Sequence, residues 1–582
     1  MYNNKSLLNN YWKIKDFDER LGLYSSQINN ISPTLAKLIY LRGIKNEYVE
    51  DYLNPNIYNN LPNPFLLKDM EKSINRVILA IKNNEKIGII ADYDVDGSTS
   101  AAILYKFLTN FTNRIILQIP NRLSEGYGPN LRIMDEMLNQ NINLIFTLDC
   151  GTSSFGIIDN AKYKDIDVIV IDHHLSESIL PKVYSIINPN RYDEKSKFNQ
   201  MAAVGVTFLF LMALRKKLRK KNFFDKKIIE PNLLSLLDLV ALGTVCDVVR
   251  LISYNRVFVK IGLDLIKERK NKGISKIVDN SNIDRPPTSS DLGFVIGPQL
   301  NAASRIDDSS LASKILITHN LLDIEIISKK LILLNEKRKL IENFVYEEAL
   351  KQAENQKNKK FILAYGDNWH NGVLGIVASK LINKFYKPTI VISFTNKKGI
   401  GSARSIENID LGEIILNAKN QNILTKGGGH KMAAGLQINF DNLRKFNKFL
   451  DDHLAKISEK IFKKIDYYDT EITSNEINSE LLDTIEKMEP FGSGNPEPTF
   501  IIKDLKIENV KILKEKHLLI FSRTEFSKYL KAICFNCIDT NLGDYLLNFR
   551  NCKLAIGCTI QRDNFNKVEA PQIVIKDAMI IN

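Results

Sequence analysis

The chain has 582 residues, of which 44% are hydrophobic and 25% charged, a composition typical of a folded globular protein. Lys and Arg exceed Asp and Glu by 13, which favours a polyanionic partner over small-metabolite chemistry. The amino terminus lacks a signal-peptide pattern, and no stretch approaches the roughly 18 uninterrupted apolar residues of a membrane span. Six cysteines are few enough to be reduced thiols, so we expect a cytoplasmic protein that does not enter a membrane.

Five regions follow one another along the chain. Residues 1–70 predict a small helical region and a linker, and residues 71–320 alternate strand-like and helix-like segments, which indicates a parallel α/β domain. Residues 321–358 have the apolar spacing of a long connecting helix. Residues 359–460 are predicted to form a second α/β domain. Short strand-like segments dominate residues 461–582, which predicts a C-terminal β-barrel of the OB type. The predicted fold class is therefore α/β with an added OB-like barrel.

The sequence ADYDVDGSTS places carboxylates at alternate positions, Asp92, Asp94 and Asp96, directly after the strand-like run EKIGII. Alternate side chains of a strand lie on one face, so these carboxylates are expected to converge and to repel one another unless a cation compensates them. A calcium loop of the EF-hand type is disfavoured, because its twelfth position needs a glutamate and here is Ile103. A divalent metal site remains the simplest explanation.

Acidic residues also close two later strands. Asp149 in TLDCG and Asp172 in VIDHH occupy the carboxyl ends of strand-like runs, where open α/β sheets bind ligands. His173 and His174 follow directly, and imidazole nitrogen with carboxylate oxygen suits ions such as Mn²⁺. Asp247 in LGTVCDVV is either a helix cap or a further ligand, and the other acidic positions favour the ligand.

These motifs resemble, in order and spacing, the four motifs of the DHH phosphoesterase superfamily, and the whole chain resembles its RecJ branch. The resemblance extends over NRLSEGYG (121–128), GPQLNAASR (297–305), GSARS (401–405), GGGHKMAAG (427–435) and EPFGSGNPEP (489–498). It implies a DHH domain, an accessory domain that holds substrate, and two Mn²⁺ or Mg²⁺ ions. It also implies an exonuclease of DNA recombination and repair that degrades single-stranded DNA from the 5′ end and releases nucleoside 5′-monophosphates. We also expect the protein to be a monomer and to work with a helicase and a single-strand-binding protein.

The resemblance also implies roles for individual residues. The metal ligands would be Asp94, Asp96, Asp149, His173 and Asp247, with Asp149 bridging two ions. Asp92 and Asp172 would assist them, and His174 would face the scissile phosphate, either as a contact to its oxygen or as a proton donor. The substrate-binding residues would be Arg122, Arg305, Ser402, Arg404, Gly428, Gly429 and His430.

Two other functions stay open at this point. One is a DHH phosphodiesterase of short oligoribonucleotides or cyclic dinucleotides, although such relatives are generally shorter and lack a C-terminal barrel. The other is a non-catalytic nucleic-acid scaffold, which would have no need for the five predicted ligands together. The glycine-rich GGGH stretch is either a phosphate-binding loop or a tight turn.

Overall fold

The computed structural model describes residues 4–57, 61–226, 228–524, 526, 528–549, 553–563 and 570–581. The chain divides into two compact units. The first unit comprises residues 54–338 and 489–496, and the second comprises residues 1–53, 339–488 and 497–582. Among the described residues, no helix has both the length and the apolar character required to span a membrane.

The secondary structure alternates in the first unit and becomes rich in strands towards the carboxyl terminus. The strands are β1 (Tyr11–Ile14), β2 (Ile87–Ala91), β3 (Ile115–Gln118), β4 (Leu144–Leu148), β5 (Asp167–Ile171), β6 (Ser185–Ile187), β7 (Ile362–Asp367), β8 (Thr389–Thr395), β9 (Lys398–Arg404), β10 (Lys426–His430), β11 (Ala433–Asn439), β12 (Ile465–Tyr468), β13 (Thr470–Glu471), β14 (Phe500–Ile502), β15 (Lys506–Leu513), β16 (His517–Arg523), β17 (Tyr529–Cys534), β18 (Lys553–Arg562) and β19 (Pro571–Ile581). The helices are α1 (Glu19–Asn29), α2 (Pro33–Tyr40), α3 (Val49–Leu53), α4 (Met70–Lys82), α5 (Val95–Leu108), α6 (Leu131–Asn139), α7 (Ala203–Lys220), α8 (Leu237–Cys246), α9 (Ser253–Lys267), α10 (Lys272–Asn280), α11 (Ser289–Asp291), α12 (Gly297–Ile306), α13 (Leu311–Ile317), α14 (Leu321–Glu354), α15 (Leu374–Phe385), α16 (Leu411–Asn420), α17 (Leu443–Ala455), α18 (Ser479–Glu486) and α19 (Asn541–Leu547).

A five-stranded parallel sheet forms the centre of the first unit, with strand order β3-β2-β4-β5-β6. Its inner strands are apolar on both faces because helices cover both. Ile89 and Phe146 belong to the larger core with α5 and α7, whereas Ile90 and Ile145 pack with α6 on the opposite face. The predicted parallel sheet is confirmed, and β6 is an additional strand that the sequence patterns did not reveal.

A short segment far along the chain belongs to the first unit, although it lies within the region predicted as residues 461–582. Residues 489–496, from the EPFGSGNPEP motif, pack against the stretch that follows α8. The Leu251 amide donates to the Ser493 carbonyl at 2.7 Å, and the Arg256 guanidinium donates to the Glu489 carbonyl at 2.8 Å. The motif therefore supports the chain directly after Asp247.

The long helix predicted between the two α/β regions is confirmed as α14. Its residues up to Arg338 belong to the first unit, and those from Lys339 onward belong to the second. The second unit then forms a five-stranded sheet of order β10-β11-β9-β8-β7, in which only β7 and β8 are parallel. Helix α15 packs on β8 and β9, and α16 packs on β10 and β11.

The carboxyl-terminal region is built on a seven-stranded mixed sheet of order β13-β14-β18-β19-β17-β16-β15. The amino terminus joins this region through a strand, because β1 pairs in parallel with β12. Trp12 of β1 is fully buried against Tyr468, and its indole Nε1 donates to Asp577 Oδ2 at 3.2 Å. Residues 1–70 are thus not purely helical, since strand β1 contributes to the core of the carboxyl-terminal region.

Candidate metal centre

The aspartate-rich stretch marks the start of a helix. Strand β2 ends at Ala91, and Asp94 is the N-cap of α5, where its side chain accepts from the Gly97 amide at 3.1 Å. The expected strand alternation over Asp92, Asp94 and Asp96 is therefore wrong. Glycine is needed at position 97 because a Cβ there would lie 2.3 Å from the Asp92 carbonyl oxygen. This close turn places the carboxylates at the carboxyl edge of the sheet.

His173 is the centre of the site. Its Nε2 lies 3.4 Å from Asp149 Oδ1, 3.5 Å from Asp247 Oδ2 and 3.8 Å from Asp96 Oδ2. These residues come from four separate stretches of the chain, after β4, after β5, at the end of α8 and in the first turn of α5. Ligands of one octahedral ion lie roughly 3 Å apart, so the spacing fits a shared divalent cation.

A second group of ligand atoms adjoins the first. One oxygen each of Asp92, Asp94 and Asp149 lies within 4.8 Å of the others, and Asp149 also groups with both histidines at this spacing. Asp149 Oδ1, Asp92 Oδ1 and His173 Nε2 are buried and have no hydrogen-bond partner among the described residues. Buried polar atoms of this kind indicate a missing partner, and the oxygen and nitrogen donor set fits Mn²⁺ or Mg²⁺.

Burial and mutual repulsion raise the pKa values of several carboxylates in this cluster. Burial, and then the charge of Asp94, raises the pKa of Asp96 to about 7. Burial and the charges of Asp96 and Asp94 raise the pKa of Asp247 to about 9, and burial with the neighbouring carboxylates raises the pKa of Asp149 well above its ordinary value. Such shifts are expected where several acids converge on a position meant for a cation.

The two histidines differ in their surroundings. Burial and the neighbouring His174 charge lower the pKa of His173 to about 4, so it is neutral and free to bind a metal. Burial lowers the pKa of His174, but its 2.7 Å contact with Asp172 outweighs that effect and raises this pKa to about 9. His174 therefore carries a proton at neutral pH.

Asp172 organises the loop rather than offering a ligand. Its Oδ1 accepts from the amides of His173 and His174 at 2.7 and 3.2 Å, and its Oδ2 accepts from the Thr152 amide at 3.1 Å. Burial opposes its ionisation, but the hydrogen bond with His174 outweighs burial and the pKa of Asp172 falls below its ordinary value. Asp172 is thus an ionised acceptor that fixes the loop carrying both histidines.

Backbone strain is concentrated at two positions in the site. Asp149 has φ 58°, a left-handed conformation that aspartate tolerates. Val248, directly after Asp247, has φ 60°, which is rare for a β-branched residue and is retained only where the surrounding structure enforces it. Asp247 itself is the C-cap of α8, and its Oδ2 also lies 3.5 Å from His173 Nε2, so its role as a metal ligand stays a prediction.

Two of the predicted substrate-binding arginines lie beside the cluster. The Arg122 guanidinium stacks over Tyr93, 4.7 Å from the ring centroid. Removal from water, and then the charges of Arg122 and Arg338, lowers the pKa of Arg305 to about 10. Guanidinium groups that disfavour one another in this way suit an anion such as a phosphate. Arg338 was not predicted, because nothing local in α14 distinguishes it.

The other predicted substrate-binding residues belong to the second unit. Ser402 and Arg404 lie on β9 next to the first turn of α15, where a Cβ on Gly375 would lie 2.8 Å from Arg404 Nη2 and 3.1 Å from Ser402 Oγ. Gly428, Gly429 and His430 lie on β10, the end strand of its sheet. The expected loop or tight turn is wrong here, since this stretch pairs with β11 as one strand of a hairpin.

Several residues that shape the site escaped the sequence patterns. Asn188 donates from Nδ2 to the His174 carbonyl at 2.8 Å and to Thr152 Oγ1 at 2.9 Å. Asn190 Nδ2 donates to the His173 carbonyl at 2.5 Å. Both asparagines follow β6, so recognition of that strand would have placed them at the same edge as the acids.

The chain matches known domain families and proteins over most of its length. Residues 86–244 match the family described as "DHH family, N-terminal domain", residues 358–456 the "DHHA1 domain" and residues 468–577 the "RecJ OB domain". "Single-stranded-DNA-specific exonuclease RecJ" of Haemophilus influenzae is 34% identical over 88% of this chain and 91% of the relative. The protein of the same name from Escherichia coli is 32% identical over 88% of this chain and 90% of the relative.

The chain belongs to the RecJ family. Solved structures agree with this assignment. The crystal structure of RecJ in complex with Mn²⁺ from Thermus thermophilus has the same fold, with a TM-score of 0.81, 24% identity and coverage of 98% of this chain and 79% of that one. "Crystal structure of exonuclease RecJ bound to manganese" has a TM-score of 0.58 at 28% identity and covers 68% of this chain and 96% of that one. The resemblance to the RecJ branch is confirmed, and so is the predicted fold class with its OB domain.

Proposed function

We propose that this RecJ-family protein is a single-stranded-DNA-specific exonuclease that degrades from the 5′ end and releases nucleoside 5′-monophosphates in DNA recombination and repair. The observation that carries the proposal is the convergence of Asp149, Asp247 and Asp96 on His173 Nε2 at 3.4, 3.5 and 3.8 Å. The names of the curated relatives support the substrate class, single-stranded DNA.

The residues of the cluster divide into two ligand groups. Asp96, His173 and Asp247 would hold one divalent ion, and Asp94 would hold the second with Asp149 shared between them. Two Mn²⁺ or Mg²⁺ ions held by these residues would activate a water molecule at neutral pH and would neutralise charge on the phosphate. Asp92, the remaining member of that second group, would be a further acceptor. The grouping of Asp149 with both histidines and with Asp92 and Asp94 supports the bridging role.

His174 is the proton donor of the proposed reaction. A new bond forms between the water oxygen and phosphorus, and the bond from phosphorus to the 3′ oxygen of the terminal nucleotide breaks. That 3′ oxygen must gain a proton, and His174, whose Nδ1 lies 2.7 Å from Asp172 Oδ1, would donate it. His174 Nε2 is the nitrogen left to donate.

Recognition of a strand end requires groups that bind phosphates. Arg122 and Arg305 supply guanidiniums in the first unit, next to Tyr93 and Asp94. In the second unit, Ser402 and Arg404 lie at the amino-terminal turn of α15, an arrangement that suits a terminal 5′ phosphate. The free edge of β10, which carries Gly428, Gly429 and His430, would offer alternate backbone amides and an imidazole to further phosphates.

The same proposal includes the working context of the enzyme. The OB domain and the net charge of +13 suit a bound single strand. A helicase would supply that strand, a single-strand-binding protein would keep it open, and the chain would act as a monomer in the cytoplasm, where chromosomal DNA is processed.

The test is digestion of 5′-phosphorylated single-stranded DNA, labelled at either end, in Mn²⁺. We expect labelled mononucleotides to appear from the 5′ end first, with duplex DNA resistant. The Asp149→Ala variant should be inactive, whereas Asp165→Ala, at an exposed aspartate of the same unit, should match the parent. Equal digestion of duplex DNA, or release from the 3′ end alone, contradicts the proposal.

A further inference from the structure

Tyr127, in the NRLSEGYG motif, connects two parts of the metal centre that lie on different loops. Its hydroxyl lies 2.7 Å from the backbone carbonyl oxygen of Asp149 and 3.1 Å from Nδ1 of His174. The phenol and imidazole rings also make an edge-to-face contact, with 5.6 Å between their centroids. Tyr127 is 51% exposed, so these contacts, rather than burial in a core, set its place in the site.

Counting protons determines the direction of each hydrogen bond. The phenol has one proton, and the Asp149 carbonyl oxygen has none, so Tyr127 must donate to Asp149. The hydroxyl oxygen therefore presents a lone pair to His174 Nδ1, and Asp172 Oδ1, at 2.7 Å from the same nitrogen, is also an acceptor. The Nδ1 atom then carries the proton in either charge state of the ring. The Nε2 atom is the one left for the substrate.

We propose that Tyr127 is a positioning residue of the nuclease, which acts through His174 by holding Nδ1–H between its own hydroxyl oxygen and Asp172. The inference rests on the proposed function, because it concerns the proton donor of that reaction. A single acceptor leaves an imidazole free to swing about its hydrogen bond, and the second acceptor with the ring contact removes that freedom. Groups of this kind, one step removed from the reacting atoms, typically change activity by about 10- to 100-fold.

The hydrogen bond from Tyr127 to the Asp149 carbonyl connects the proton donor to the metal site. Asp149 adopts φ 58°, and the Tyr127 hydroxyl donates to its backbone carbonyl at 2.7 Å. Because Tyr127 binds that carbonyl and His174 together, the proton donor keeps a fixed position relative to Asp149, the proposed bridge between the ions. One hydroxyl group thereby fixes the position of the proton donor His174 relative to the proposed metal ligand Asp149.

The test is a double-mutant cycle with Tyr127→Phe, which removes only the hydroxyl and retains the ring for any contact with a nucleobase. We expect Tyr127→Phe to lower kcat about tenfold with KM changed less than about twofold, and to leave Mn²⁺ affinity in calorimetry unchanged. In the His174→Ala background the same substitution should cost nothing more. Tyr192→Phe, at an exposed tyrosine of the same unit, is the matched control.

The outcomes separate this inference from the proposed function. Equal losses in both backgrounds, a rise in KM alone, or weaker Mn²⁺ binding would overturn the role assigned to Tyr127. An inactive parent enzyme would instead overturn the proposed nuclease.

A second measurement does not depend on activity. In protein with ¹⁵N-labelled histidine and Mg²⁺, the downfield Nδ1 proton of His174, identified by its loss in His174→Ala, should exchange with water about tenfold faster in Tyr127→Phe. An unchanged exchange rate contradicts the inference.

Discussion

The proposed functional side chains of the two units differ in charge and in burial. In the first unit, carboxylates are buried together around His173, and their raised pKa values show that the cluster is unfavourable without cations. In the second unit, Ser402, Arg404 and the end strand β10 present hydrogen-bond donors near the surface, which need no cation to receive a phosphate. The first unit therefore gives up stability at the proposed metal site, whereas the proposed phosphate-binding residues of the second unit carry no such repulsion.

Asp247→Asn should have the largest effect and should separate function from stability. Loss of one carboxylate from the group around His173 should lower kcat by at least about 10³-fold and weaken Mn²⁺ binding. The metal-free variant should melt no lower than the parent, because Asp247 must take up a proton on folding at neutral pH, a cost that a neutral amide does not have. Activity assays and thermal melts in EDTA measure both effects, with Asp165→Asn as the control. A metal-free variant that melts well below the parent would show that Asp247 is a structural cap.

The pH dependence of metal-free stability should come from the same cluster. Burial and neighbouring charges raise the pKa of Asp247 to about 9, so the folded chain keeps a proton that the unfolded chain loses near its ordinary value of 3.8. The His174 pKa, raised to about 9 by Asp172 against the effect of burial, acts in the same direction above pH 6.5. The folded state thus binds more protons, and stability must fall as the pH rises from about 7 to about 9. In EDTA we expect the Tm to fall by several degrees, and saturating Mn²⁺ to abolish most of that fall; a flat profile would show that the carboxylates do not repel.

Arg404→Ala tests the second unit, where binding rather than chemistry should suffer. Loss of one charge-assisted hydrogen bond to a terminal phosphate should raise KM for 5′-phosphorylated DNA by about 10- to 50-fold with little change in kcat. DNA with a 5′ hydroxyl should respond much less. Lys398→Ala, at the exposed start of the same strand, is the control. An equal loss for both kinds of DNA end would assign Arg404 to general strand binding.

The positions of Asp149 and Asp172 could be predicted from the sequence because parallel strands all end at one edge of their sheet. The local geometry around Asp94 could not, since alternate acidic residues fit a strand and a helix start equally well. The Asp94 N-cap, whose side chain accepts from the Gly97 amide, shows that a helix begins there.

Partners distant in sequence are the main part of the site that patterns cannot supply. Tyr127 and His174 are brought together by the sheet. Residues 489–496 contact the loop after Asp247 although they lie far along the chain from it. Spacing within a motif carries no information about such contacts. The hairpin at Gly428 was missed for a related reason, because glycine-rich stretches are compatible with turns, loops and edge strands alike.

Gly428→Ala should have the smallest effect and distinguishes the β10 edge from an ordinary hairpin. A Cβ at Gly428 would meet no atom within 4 Å, so the variant should fold with a Tm within about 1 °C of the parent. A methyl group on this edge still keeps a phosphate away from the backbone amides, so we expect single-stranded DNA affinity to fall about threefold in fluorescence anisotropy. Gly429→Ala is the contrasting variant, because its Cβ would lie 2.4 Å from the Ala433 carbonyl oxygen and should destabilise the hairpin itself. If Gly428→Ala binds DNA like the parent while Gly429→Ala merely unfolds, the glycines serve the fold, and phosphate binding in the second unit rests on Ser402 and Arg404 alone.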